Sequence, residues 1–408
     1  MTRAVGIDST PHLSKRAIPC SKNLQRWLSG NEGISIRFLS SGAIGCLAVH
    51  LVTERRLVPY WQRMPLCSLA LRLLSCGTLL GAPLLPLAAQ QSDLAFLNGN
   101  RPVLDAHNCY PYEGRWADRV ERALKTGHPV GIEQDLAWYV DPGTGKGRLV
   151  VSHTPHTKGQ EPLERDYFFE RVRPLIEKAL ADGNQASWPL IVLHFDLKDQ
   201  RPELLHALWD LLGEYQSWIT TAPKGSDPHV LAALDRKPLL VLTEDSDAQE
   251  EVFFHQVPLG SRLRLFGSAH TNLPENAKRD ELVHLQATLP PDRLLSARPT
   301  NYRRWWNNSW YEVEEGGQPK AAAWTTSDMA RLQALVTHAH QLGYWIRFYT
   351  LDGFAPEVGR QNGWLAGYNF GSPEAAHERW RAAMTAGVDL IATDQYEDLS
   401  ALMHNTKP

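Results

Sequence analysis

From Pro102 onward, short runs of Val, Ile and Leu bounded by Gly and Pro alternate with longer stretches whose apolar residues recur at helical spacing. The short runs predict buried strands at Pro102–His107, Val130–Trp138, Arg148–His153, Pro189–Leu197, Lys237–Thr243, Arg262–Ser268, Pro299–Trp306, Tyr344–Leu351 and Val388–Thr393. The longer stretches predict amphipathic helices at Asp166–Ala181, Arg201–Gly213, Asp328–Leu342 and Pro373–Ala386. The last has Ser372 as N-cap and Gly387 just past its end. Repeated strand-then-helix units build a parallel sheet. About eight such units over some 300 residues favour an α/β fold closed as a (β/α)8 TIM barrel, in which reactive groups gather at the carboxyl ends of the strands.

Upstream the pattern changes. Residues 1 to 63 mix Arg and Lys with short apolar pieces and show no sustained period, so they read as an extension of uncertain status, with Met64 as an alternative start. From 64 to 89 a basic approach (Arg55, Arg56, Arg63), an apolar middle and a small-residue end, Leu87-Ala88-Ala89, describe a secretory signal peptide. Pro83 and Pro86 and the short run Leu73–Ala82 argue against a stable membrane span. Leu73-Leu74-Ser75-Cys76 resembles a lipoprotein cleavage site, but it ranks second because the apolar run continues past Cys76. Export to the periplasm or beyond is therefore expected, with residues 90–408 forming the barrel domain. Cys20, Cys46, Cys67 and Cys76 all precede Gln90, which leaves Cys109 alone in the exported part, without an internal disulfide or a cysteine metal site. A formal charge of −3 with no long basic run argues against nucleic acid as a partner.

The candidate chemistry sits at strand ends. Glu133 and Asp135 alternate onto one face of their strand, roughly 7 Å apart along the chain. Two carboxylates so placed raise each other's pKa unless a cation neutralises them. A hard divalent ion, Ca2+ or Mg2+, meets that need with oxygen ligands. His107 closes the strand before and His153 the run after, which supplies two groups for general acid and base work near neutral pH. Further on, His194, Asp196 and Lys198 share one face: Asp196 as a third metal ligand, Lys198 for a phosphate oxygen or developing negative charge, His194 more simply as a packed residue. Trp345, Arg347 and Tyr349 also share a face, with Arg347 and Trp345 as candidate substrate contacts and buried packing as the competing reading. Asp394 either orients other mouth residues or caps the next helix. The aromatic and basic stretch Tyr302–Tyr311 is either a rim facing lipid or sugar, or a core patch.

With these residues in view, Pro102 to Leu399 resembles the phosphatidylinositol-phospholipase-C-like phosphodiesterase superfamily, which includes the glycerophosphodiester phosphodiesterases. Its hallmark of a first-strand His, a Glu-x-Asp and a second His corresponds to His107, Glu133, Asp135 and His153. Asp196-x-Lys198 resembles the family's acidic-x-Lys, and Gly387–Asp394 its closing strand. Two departures stand out: His107-Asn108-Cys109 replaces His-Arg-Gly, and His153-Thr154 replaces His-Asp. His-Asn is closer to the calcium-dependent phospholipases C, and this implies Asn108 as a metal ligand. The resemblance implies a divalent cation on Glu133, Asp135, Asn108 and Asp196. It also implies cleavage of a small phosphodiester or phospholipid head group by His107 and His153, aided by Lys198 and Arg347, with peripheral membrane contact as a further expectation. A glycoside hydrolase and a non-catalytic phospho-ligand binder are the competing classes.

Overall fold

The computed structural model describes residues 102–112 and 114–405, with Leu97 and Gly99 ahead of them. The signal peptide expected at 64–89 and the extension before it lie outside the described residues. In chain order the strands are β1 (Val103–Ala106), β2 (Val130–Val140), β3 (Gly147–Val151), β4 (Ile191–Leu197), β5 (Ala222–Pro223), β6 (Leu239–Thr243), β7 (Arg262–Leu263), β8 (Phe266–Ser268), β9 (Arg303–Ser309), β10 (Trp345–Tyr349) and β11 (Leu390–Thr393). β1, β2, β4, β6, β8, β9, β10 and β11 run parallel in that order, and β11 pairs back to β1. This is a closed eight-stranded parallel barrel wrapped in helices, the expected (β/α)8 architecture.

Both faces of the staves are covered, so β6 and β11 are buried throughout and read as unbroken apolar runs. The helices supply the outer cover from one stripe each: Leu204, Leu205, Leu208, Leu211 and Leu212 in Pro202–Glu214, and Leu332, Leu335, Val336 and Ala339 in Thr326–Leu342. Ser372 caps Pro373–Ala386 by accepting from Ala375 N–H, and Gly387 ends that helix at φ 83°, a left-handed position that suits glycine. Gly131 has a different reason to be glycine. It pairs with Asp105 across β1 and β2, and a Cβ there would stand 2.2 Å from Asp105 Oδ1.

Three elements differ from expectation. Arg148–His153 is no barrel stave: β3 folds back antiparallel on β2, pairing Leu136 with Val151, after a turn in which the Asp141 carboxylate accepts from Gly143 and Thr144 N–H. That hairpin returns His153 to the end of β2. The run Arg262–Ser268 divides, β7 pairing with β5 in a small ribbon while β8 joins the barrel. The strand expected at Pro299–Trp306 begins later, at Arg303, because Thr300 Oγ1 accepts from Tyr302 and Arg303 N–H in a tight turn. As a result Trp305, Trp306 and Trp310 are fully buried, and the aromatic stretch is core rather than rim.

Candidate active site

Parallel register assembles the site before any side-chain contact is considered. β2 and β4 pair Glu133 with His194 and Asp135 with Asp196. Alternation then sends all four side chains toward the barrel axis at its carboxyl end. His107 follows β1 and Asp394 follows β11, adjacent staves, and His153 arrives on the β3 hairpin.

Two histidine–carboxylate pairs result. His107 Nδ1 lies 2.7 Å from Asp394 Oδ1, and His153 Nδ1 lies 2.7 Å from Asp135 Oδ2. A carboxylate only accepts, so each Nδ1 carries the proton and each Nε2 is left for other work. His107 Nε2 is 3.8 Å from Glu133 Oε2. Burial pulls the His107 pKa down, but the Glu133 and Asp394 carboxylates outweigh it and lift it to about 9. Glu133 shows the converse: burial pushes its carboxyl up, and His107 and Arg347 bring it down to about 2. Asp394 thus orients a mouth residue, the first of the two roles read for it.

Lys198 Nζ stands between two carboxylates, 2.9 Å from Asp135 and 2.5 Å from Asp196. Burial lowers its pKa, but these neighbours more than reverse the effect and keep it charged. Asp196 goes the other way: burial and then Asp135 raise its carboxyl to about 6. His194 gives Nε2 to Glu244 Oε1 at 2.7 Å, and Asn307 Nδ2 donates to both Glu244 oxygens. Its role is that of a packed, oriented side chain.

Arg347 and Trp345 were expected to contact substrate, and the fold places them elsewhere. Arg347 is 1% exposed, its Nε bonded to Asp105, Nη2 to Glu133 at 2.6 Å and Nη1 to Asn307 at 3.0 Å. Trp345 begins β10, a full alternation step further from the mouth, and is 2% exposed. Both shared the right face but lie too deep. Arg347 acts instead as an internal counter-ion beneath the site.

Whether a divalent cation fits can be judged from the donors. Oxygens of Glu133, Asp135 and Asp196 come within 4.8 Å of one another, and Asp135 Oδ1 is buried with no hydrogen-bond partner among the described residues. Asp105, Glu133, Asp135, Asp196, Glu244 and Asp394 are set against Arg347 and Lys198 as permanent cations. Negative charge is therefore in excess, and the all-oxygen donor set suits a hard dication. Asn108, at φ 50°, directs its amide NH2 to Asp394 at 3.0 and 3.1 Å, while Tyr110 OH donates to its Oδ1. One lone pair of that oxygen is thus taken and the second remains for a ligand role.

Several members of the site were not anticipated. Asp105 precedes His107 by one alternation step on β1, and Glu244 directly follows β6, so alternation applied to β1 and strand-end logic applied to β6 would have found them. Tyr110 and Tyr368 carry no such signal. Tyr368 meets the His107 ring edge-on with centroids 5.6 Å apart, and Tyr112 meets His153 edge-on at 6.5 Å. Tyr112 also stacks on Trp116, forming an aromatic lip beside the two histidines.

No family model and no curated protein matches the chain. Among solved structures, two glycerophosphodiester phosphodiesterases from Parabacteroides distasonis align over 78% and 75% of this chain. They are covered over 92% and 98% of their own lengths, at 14% and 11% identity with TM-scores of 0.35 and 0.36. A Plasmodium falciparum HPPK-DHPS aligns over 74% of this chain and 46% of its own, at 10% identity and TM-score 0.39. Likeness at this level includes proteins of different chemistry.

Proposed function

We propose that this chain is a phosphodiesterase acting on a glycerophosphodiester or a phosphatidylinositol-like diester. The observation that carries the reading is the pair of histidines, each with Nδ1 held by a carboxylate, flanking one carboxylate cluster at a barrel mouth. One Nε2 removes the proton from a substrate hydroxyl next to the phosphate, which attacks phosphorus. The other protonates the departing oxygen. Lys198, 18% exposed, faces the charge that builds on the phosphoryl oxygens. The product is a cyclic phosphate, which water opens with the histidine roles reversed. Ca2+ or Mg2+ on Glu133, Asp135, Asp196 and Asn108 would supply Lewis-acid polarisation of a phosphoryl oxygen.

Export through the leader at 64–89 belongs to the same proposal, as does transient contact with a lipid surface. The latter is supported by Tyr112, Val358 and Leu365, which are exposed at the mouth end of the barrel. The test is hydrolysis of glycerophosphocholine, phosphatidylinositol and a chromogenic diester with EDTA, Ca2+ or Mg2+. Cation-dependent turnover that is lost in Glu133→Ala supports the reading. Absence of turnover on every diester with either ion overturns it.

A further inference from the structure

Asp135 Oδ2, the acceptor for His153, also accepts from Lys198, so its hold on the imidazole is shared. His153 itself is 38% exposed and hangs from a hairpin rather than a stave. Fixing its ring and tautomer needs a second support, and Tyr110 is placed to give it. The Tyr110 ring stacks on His153 at 19° with centroids 5.7 Å apart, and its hydroxyl oxygen lies 2.8 Å from His153 Nδ1. The Tyr110 proton is committed to Asn108 Oδ1, so toward His153 the same oxygen can only accept. Asn108 in turn donates to Asp394, the partner of His107. A continuous run of hydrogen bonds therefore joins His107 to His153 through Asp394, Asn108 and Tyr110.

We propose that Tyr110 is a positioning residue that ties the two histidine–carboxylate pairs into one unit, holding His153 with Nδ1 protonated and Nε2 free through a bridge that ends on Asp394. Asn108 reaches His153 through Tyr110, so a change at Asn108 should be felt by a ring it does not touch.

The test uses full-length protein with 15N-labelled histidine and long-range proton–nitrogen spectra at a pH where the His153 ring is neutral. Wild type should show His153 as a single Nδ1–H tautomer, and both Tyr110→Phe and Asn108→Ala should mix in the other. Only the kinetic arm rests on the phosphodiesterase reading: kcat in Tyr110→Phe should fall about 10-fold, as for one lost orienting hydrogen bond, with KM within about 2-fold. An unchanged His153 spectrum in Tyr110→Phe overturns the proposal whatever the rates do. A shift in Tyr110→Phe that is absent from Asn108→Ala overturns the coupling. If Tyr110→Phe does not fold, Asn108→Ala decides alone by the same spectrum. Tautomer shifts in both variants, alongside a wild type that cleaves no diester, would support the bridge while counting against the phosphodiesterase reading.

Discussion

Arg347 separates two ways of reading the same side chain. If it met a substrate phosphate, replacing it would raise KM and leave the fold unaffected. Its geometry says otherwise: three nitrogens are spent on Asp105, Glu133 and Asn307, and the side chain is 2% exposed. Arg347→Met keeps most of the volume and removes the charge, stranding Asp105 and Glu133 beside one another in the barrel. Breaking a buried ion pair by removing one partner costs about 3–5 kcal/mol, because the surviving charge is left without compensation. For a domain of roughly 300 residues, about 2 °C of melting temperature accompanies each kcal/mol, so the expected fall is about 6–10 °C. Arg347→Lys should recover only part of it, since one ammonium cannot span the positions that the guanidinium fork reaches. Scanning calorimetry with urea unfolding measures both variants. A melting temperature within about 1 °C of wild type, together with a KM raised 10-fold or more, would refute the counter-ion role and restore Arg347 as a substrate contact.

Other expectations follow from single contacts. Asp394→Asn removes the carboxylate that holds His107 Nδ1–H, so kcat should fall roughly 100-fold with little change in KM, and steady-state kinetics within about 3-fold of wild type would break the His107 pair. Gly131→Ala would set a Cβ 2.2 Å from Asp105 Oδ1 and 3.0 Å from its Cα, so urea unfolding should show a loss of about 1–3 kcal/mol; a neutral result would mean that β1 and β2 separate easily. Glu312 is buried, and burial lifts its carboxyl to about 7 from an ordinary 4.5. The fold therefore favours the protonated acid, and this contribution is complete below about pH 4.5 and lost as pH rises through about 7, a change of about 3 kcal/mol. Glu312→Gln should gain stability over wild type progressively across that interval and hold the gain above it, whereas parallel unfolding profiles from about pH 5 to 8 would rule this out.

The parts of this protein that were legible in its sequence are those governed by one periodicity at a time. Alternation along β2 and β4 put Glu133, Asp135, His194 and Asp196 on one face, and the register pairs them as the pattern implies. His107 and His153 were legible as strand ends, although the antiparallel return that brings His153 to Asp135 was not. An isolated apolar run carries no mark of the direction in which it pairs. The failures at Arg347 and Trp345 share a cause: period two specifies the face of a strand and says nothing about depth along the barrel axis. Depth is set by where each stave begins relative to its neighbours, and the pairing of Arg347 with Leu390 and with Asn307 fixes it here.

Depth also explains why the site has two tiers of charge. Asp105 and Arg347 lie in the lower tier, where burial forces every charge to find a protein partner. Asp135, Asp196 and Lys198 lie nearer the mouth, where Lys198 and Asp196 are partly exposed. Glu133 belongs to both tiers, with Nη2 of Arg347 on one side and His107 on the other. A lower tier neutralised by the chain's own guanidinium leaves the upper carboxylates as the unbalanced charge. On this view a cation from solution should bind on the Asp135 and Asp196 side of Glu133. Arg347 then sets how many carboxylates remain for it. Loss of Arg347 should therefore tighten cation binding even as it weakens the fold, a pair of opposite effects that a simple loss of structure would not produce.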